Sequence, residues 1–308
     1  MISPLRIATR KSQLAMWQAA HVATLLRQAH SGLEVELVPI VTQGDRIQDR
    51  PLAAIGGKGL FIKELELALE EQRADMAVHS MKDLPGDLPD GLVIAAVLER
   101  ADPHDALVAA NATRLDDLPR GARVGTSSLR RQAQLLAARP DLRIEPLRGN
   151  VDSRLRRFDA GELDAIVLAC AGLIRLGLES RIAARINSKV CLPAVAQGVI
   201  GIECRGSDQR VLQLLSVLEH KATRIAMDAE RAFARRLGGS CQSPIAAHAR
   251  LEGDTLLLDG LVAEPDGSKL LRDSQSGSAG HPAALGALLA ERILAAGAGP
   301  LLERLRAG

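Results

Sequence analysis

Two successive blocks of the chain alternate short apolar runs with helically spaced segments, and this alternation restricts the fold more than any other feature. In the first block Leu5–Thr9, Val35–Val41, Met76–His79 and Leu92–Val97 read as strands, with Gln13–Gln28 and Gly59–Glu71 as helices. The second block, about residues 101–195, repeats the theme. There Arg123–Gly125, Leu142–Pro146 and Asp164–Leu168 read as strands, and Ser128–Ala138, Val151–Ala160 and a segment opening at Gly172 read as helices. Such alternation predicts βαβ units, parallel sheets and right-handed crossovers. The strand Val199–Glu203 and the helix Gln209–Leu218 fit either block. From Ala222 the pattern changes to one helix through Arg236. Strands follow at Ile245–Leu251, Leu256–Ala263 and Lys269–Arg272, separated by EGD and EPDG turns, and then a helix at Ala283–Gly297. That is the signature of a small α+β domain built on an antiparallel meander.

The 308 residues suffice for two or three such domains, and 47% hydrophobic with 25% charged residues excludes a disordered chain. No apolar run approaches the roughly 18–20 residues of a membrane span. The opening MISPLRIATR lacks the layout of a signal peptide, so a cytoplasmic protein is expected. A net charge of +2 argues against a nucleic-acid coat, and one Trp with three Phe leaves little for base stacking. Cys170, Cys191, Cys204 and Cys241 form no CxxC pair and the seven His form no HExxH, so no metal site is expected. Only seven of the 39 cations are Lys. Arg presents a rigid fork of donors that suits carboxylates and phosphates, although genome composition yields the same bias.

Several turns concentrate this chemistry. GTSSLRRQ (125–132) follows a strand and opens a helix, offering free N–H groups, the hydroxyls of Thr126 and Ser128, and the charges of Arg130 and Arg131. LRGNVDSRL (147–155) repeats the device with Arg148 and Arg154, and TRKSQ (9–13) does so with Arg10 and Ser12. In open α/β sheets ligands bind at this carboxyl edge. Ordinary capped helices with solvated arginines have the same local pattern. GGKGLF (56–61) carries Lys58 but lacks the ending of an ATP-binding loop. HSMKDLP (79–85) places Asp83 after Lys82 at a cation-rich edge, where a carboxylate suits a cationic intermediate or a proton shuttle; a plain turn aspartate is the alternative. GGSCQSP (238–244) sets Cys241 in a Gly/Ser loop, unlike Cys170 within the apolar IVLACAG. It is therefore either a nucleophile or an inert loop thiol. Two non-enzymatic or different-chemistry readings remain at this level, a carboxylate-binding receptor and a thiol-dependent transferase.

Taken together the motifs resemble the porphobilinogen deaminase (hydroxymethylbilane synthase) family. The resemblance runs through LRIATR (5–10), GGKGLF, AVHSMKDLP (77–85), VGTSSLRRQ (124–132), LRGNVDSRL, AGLIRLGL (171–178), LPAVAQGVIGIECR (192–205) and GGSCQSPIA (238–246), weakening after about residue 268. It implies two α/β domains like those of type-II periplasmic binding proteins, with mixed, mostly parallel sheets, plus a small α+β C-terminal domain. The implied boundaries are 1–99 with 200–218, then 100–199, then 219–308, with hinge crossings near 98–102 and 196–200.

The resemblance also implies a transferase of porphyrin biosynthesis. It would join four porphobilinogen molecules head to tail on a dipyrromethane cofactor, losing ammonia at each step, and release the linear tetrapyrrole by hydrolysis. Cys241 would carry that cofactor covalently and Asp83 would be the catalytic carboxylate. Lys82, Asp83, Thr126, Ser128, Arg130, Arg131, Arg148 and Gly172 would hold the cofactor. Arg10, Ser12, Arg148, Arg154, Arg175 and Gln197 would hold substrate. No metal, nucleic acid or membrane is implied, and the enzyme would be a cytoplasmic monomer. Departures are Ala54, where some relatives carry lysine, and Ser240 just before the cysteine.

Overall fold

The structure, a computed structural model, describes residues 4–46, 62–239 and 243–307. In chain order it opens with β1 (Leu5–Arg10), α1 (Gln13–Ala29), β2 (Val35–Ile40), α2 (Gln43–Arg46), α3 (Lys63–Glu70), β3 (Met76–Ser80) and β4 (Leu92–Val97). Next come β5 (Asp105–Ala109), β6 (Arg123–Gly125), α4 (Leu129–Ala138), β7 (Arg143–Glu145), α5 (Val151–Asp159), β8 (Ala165–Ala169), α6 (Cys170–Arg175) and β9 (Ala184–Ile186). The chain ends with β10 (Ile200–Arg205), α7 (Gln209–Leu215), α8 (Lys221–Arg236), β11 (Ile245–Glu252), β12 (Thr255–Ala263), β13 (Leu270–Ser278), α9 (Pro282–Ile293) and α10 (Gly299–Ala307). Two compact units result, Met1–Ala101 with Val199–Arg224, and Asp102–Gly198 with Ile225–Gly308.

In the first unit the strand order is β2-β1-β3-β10-β4, and β10 alone runs against the other four. The ambiguous strand at 200 thus returns to the first sheet. The period-two alternation of strand side chains sends Leu5, Ile7, Met76, Val78, Ile200 and Ile202 to one face, against α1 and α7. Ala8 and Ala77 face the other way, onto Leu65, Ala68 and Leu69 of α3.

The second unit repeats the plan as β7-β6-β8-β5-β9, with β5 alone reversed. The sequence pattern leaves β5 unmarked, because a charged residue, Asp105, heads its apolar run. In the same unit β11, β12 and β13 form an antiparallel meander. Phe233 of α8 and Leu289 and Ile293 of α9 pack on Leu258 and Val262 of that sheet. Ala133 of α4 shares a further cluster with Leu192, Ala246, Leu261 and Ala263. The buried Glu230 of α8 ties the same region together, accepting from Ala196 N at 2.6 Å and Ala249 N at 2.7 Å.

Two boundaries differ from the sequence pattern. The last strand continues to Ser278 because β12 pairs with it throughout, Thr255 opposite Ser278, and its exposed polar residues hide the signal. The final helical stretch also outlasts Gly297, which takes a left-handed φ of 101° at the break before α10. Pro282–Leu305 is long and apolar enough to cross a membrane by length and composition alone, although Glu291 and Arg292 interrupt its apolar run. Its packing explains its apolarity, since Leu285, Leu289, Ala290, Ile293, Leu301 and Leu302 belong to the core beneath the meander.

Candidate active site

At the carboxyl edge of the first sheet, the chain leaves β1 through Arg10 and enters α1 at Ser12. The Ser12 hydroxyl caps the helix, accepting from Ala15 N at 3.4 Å; such a cap contributes about 1 kcal/mol. Beside it β3 ends in the turn Met81–Asp83. Met81 is buried and anchors this turn, its N–H donating to Val199 O at 3.0 Å. Lys82 is half-buried and Asp83 exposed. Arg10, Ser12 and Asp83 line one pocket, whose other polar side chains are Gln18, His79 and Ser80. Gln18 is buried and donates to Ser80 Oγ at 2.9 Å, and His79 Nε2 lies 2.8 Å from Glu203 Oε2 on the reversed strand β10.

In the second unit the matching edge centres on Asp105, at the start of its reversed strand. Asp105 is fully buried. Arg130 reaches its two oxygens at 2.7 and 3.2 Å, and Arg131 reaches Oδ1 through Nε at 3.0 Å and Nη2 at 2.7 Å. Gln197 Nε2 and the Cys191 thiol complete the shell at 3.0 and 3.3 Å. Burial by itself would raise the Asp105 carboxyl, but the two guanidinium groups outweigh it and hold the group well below the usual carboxylate range. Burial pushes the Cys191 thiol up to about 12, so it stays a neutral donor.

The sequence pattern presents Arg130 and Arg131 as anion-binding groups on an open edge. The fold instead gives them a carboxylate of the chain's own, and both are buried, at 4% and 6% exposure. Each guanidinium has five N–H donors. Hydrogen bonds to Asp105 and Leu192 O take three on Arg130, and bonds to Asp105 and Val167 O take three on Arg131. Two arginines against one aspartate leave this cluster one positive charge in excess.

The remaining positions surround the same edge. The Thr126 hydroxyl accepts from Ser128 N at 3.2 Å, and Ser128 caps α4 by accepting from Arg131 N at 3.4 Å. Arg148 Nη1 is buried with no hydrogen-bond partner among the described residues. Gly149 takes φ 102°, and a β-carbon there would collide with Ser153 Oγ. Arg154 Nε donates to Gly149 O at 2.7 Å. Gly172 is buried in α6, whose Arg175 donates to Gly198 O at 2.6 Å; burial pushes Arg175 down to about 10. Gln197 is buried, and its Oε1 lacks a hydrogen-bond partner among the described residues. Cys241, Ser240, Lys58 and the GGKGLF run lie outside the described residues. Cys170 is buried as its apolar run implied, its thiol pushed up to about 12 by burial.

Asp105, His79, Glu203 and Gln18 went unassigned from sequence. Their signal is a polar residue inside or heading an apolar strand, such as Glu203 in GIEC, which marks a buried partner without naming it.

Residues 5–213 match the family model described as "Porphobilinogen deaminase, dipyromethane cofactor binding domain", and residues 225–295 match its C-terminal domain. The chain belongs to the porphobilinogen deaminase family. It is 56% identical over 304 residues to the porphobilinogen deaminases of Xanthomonas axonopodis pv. citri and Xanthomonas campestris pv. campestris, covering 99% of this chain and all of each relative. Among solved structures, a periplasmic substrate-binding protein of an ABC transporter from Coxiella burnetii aligns at TM-score 0.44 and 17% identity, over 71% of this chain and 94% of that one. The residues present fit the polycarboxylate cofactor named for the family's first domain. The Asp105 cluster carries excess positive charge, and Arg148 Nη1 is a buried donor without a partner among the described residues.

Proposed function

We infer that the protein is a hydroxymethylbilane synthase, condensing four porphobilinogen molecules with loss of ammonia and releasing a linear tetrapyrrole. The observation that carries the reading is the pocket at the end of β1 and β3, where the carboxylate of Asp83 stands with Arg10 and Ser12. Each porphobilinogen brings two carboxylates and leaves a cation when ammonia departs. A guanidinium suits the first and a fixed anion the second.

The dipyrromethane group, when bound, supplies the acceptor pyrrole for chain growth. On this reading Cys241 tethers it, and Lys82, Thr126, Ser128, Arg130, Arg131, Arg148 and Gly172 hold it. The arginines do so with the N–H groups not spent on Asp105. Arg10, Ser12, Arg148, Arg154, Arg175 and Gln197 orient the incoming substrate. Asp83 holds its negative charge opposite the cation that forms. Each charge-assisted hydrogen bond contributes roughly 1.5–3 kcal/mol, so several are needed against a polyanion. The enzyme is read as a cytoplasmic monomer acting on a small molecule, without nucleic acid, membrane or metal.

Intact-mass measurement of the natively purified protein tests the reading. The expected result is an added mass equal to two linked pyrroles, absent in Cys241→Ser. An unmodified polypeptide that condenses porphobilinogen at full rate would overturn it.

A further inference from the structure

Beneath the pocket that holds Asp83 lies a buried pair the reaction scheme above does not use. His79 is 6% exposed and Glu203 fully buried, joined at 2.8 Å through Nε2 and Oε2. A carboxylate on one ring nitrogen fixes the tautomer of a neutral imidazole, here with the proton on Nε2. Nδ1 then carries the lone pair, and it makes no hydrogen bond among the described residues. Glu203 Oε1 is likewise buried without a hydrogen-bond partner among them.

The charged groups brought toward His79 are Glu203 from β10, Glu66 from α3, Arg10 from the end of β1 and Asp83 from the turn after β3; α1 offers the neutral Gln18. Burial first, and then Glu203, raises Glu66 to about 6, with His79 opposing.

One carboxylate is poorly suited to both tasks of the condensation. If Asp83 took up the released proton, it would lose the charge that stabilises the next cation. Groups whose environments differ are the usual solution. We propose that His79 is the second acid–base group of the condensation, with Glu203 as its positioning partner. This rests on the hydroxymethylbilane synthase reading. As the aminomethyl C–N bond breaks, its electron pair leaves with ammonia. As the new C–C bond forms, the accepting ring carbon loses its hydrogen, and the C–H pair stays in the ring. The proton passes to His79 Nδ1. Glu203 holds the imidazolium until the released ammonia takes the proton away as ammonium.

Two kinds of measurement test this. Nitrogen-15 NMR of the full chain, labelled at histidine and free of substrate, should show His79 protonated at Nε2 and bare at Nδ1. A proton on Nδ1 instead would overturn the proposal. His79→Gln should still carry the tethered group by mass, while its single-turnover rate with porphobilinogen falls about 100-fold. In Glu203→Gln the neutral amide keeps the tautomer but holds the imidazolium less well, so the acid limb of the rate profile should move to lower pH. A loaded His79→Gln at the parental rate, or an unmoved acid limb in Glu203→Gln, would sink the role of His79 alone. A parent protein lacking the tethered group would sink the underlying reading instead. Should His79→Gln fail to fold, the NMR result and Glu203→Gln decide.

Discussion

The side chain of Met81 occupies the space that a side chain at Gly201 would need. Gly201 pairs with His79 across β10 and β3, and Met81 begins the turn that carries Asp83. Strand packing and the turn that bears Asp83 are therefore coupled through this contact. Gly201→Ala should cost about 1–3 kcal/mol from overpacking and lower kcat more than it raises KM, because Met81, the first residue of the turn, must give way. Thermal unfolding and steady-state kinetics check this. Unchanged kcat would show that the turn is held independently of β10.

Asp83→Asn keeps the shape of the exposed side chain and removes its charge. The fold and any tethered group should persist, while turnover falls roughly 100–1,000-fold. Circular dichroism, intact mass and a porphobilinogen-consumption assay together measure this. Near-parental turnover would defeat the role given to Asp83.

Asp105→Ala strips two buried guanidinium groups of the one carboxylate that they meet among the described residues. Breaking such a pair costs roughly 3–5 kcal/mol. Urea unfolding at neutral pH should show a loss of that order, larger than for any exposed pair such as Arg73–Glu71, both partners of which are more than half exposed. The pH sign follows from the lowered folded-state carboxyl. The stabilisation is present above the ordinary aspartate range and is lost only as pH falls through the depressed folded value. The parent should thus keep this contribution under mildly acidic conditions.

Glu66 works in the opposite sense. Burial raises its folded value from 4.5 to about 6. The charged form is thus disfavoured in the native state, and the penalty is full above about pH 6 and absent below about 4.5. Glu66→Gln should raise stability at pH 8 by on the order of 1 kcal/mol, solvent screening included. At pH 4 it should change nothing. Melting curves at the two pH values suffice, and an equal gain at both would refute the burial argument.

Much of this site is written in short stretches of chain. The caps at Ser12 and Ser128, the strand-to-helix turns that carry Arg10, Thr126 and Arg148, and the exposed turn at Asp83 all follow from neighbours within a few residues. The motif series over residues 5–246 also marks the family. Less legible were β5 and the tail of β13. Asp105 heads the first with a charge, and polar residues alternate along the second, so hydrophobic periodicity fades in both.

Apart from β5 and the tail of β13, local sequence is enough to mark the main strands and helices, the caps at Ser12 and Ser128, and the residue types that stand at the strand ends. Those are properties of local backbone preference and side-chain periodicity. It takes the folded chain to bring Arg130 and Arg131 to a carboxylate of their own, and Glu203 under His79 across 124 residues. Such partners are chosen by strand order and direction, above all by the single reversed strand in each five-stranded sheet, and by the need of every buried charge for a counter-charge. Neither leaves a trace in the spacing of residues along the chain.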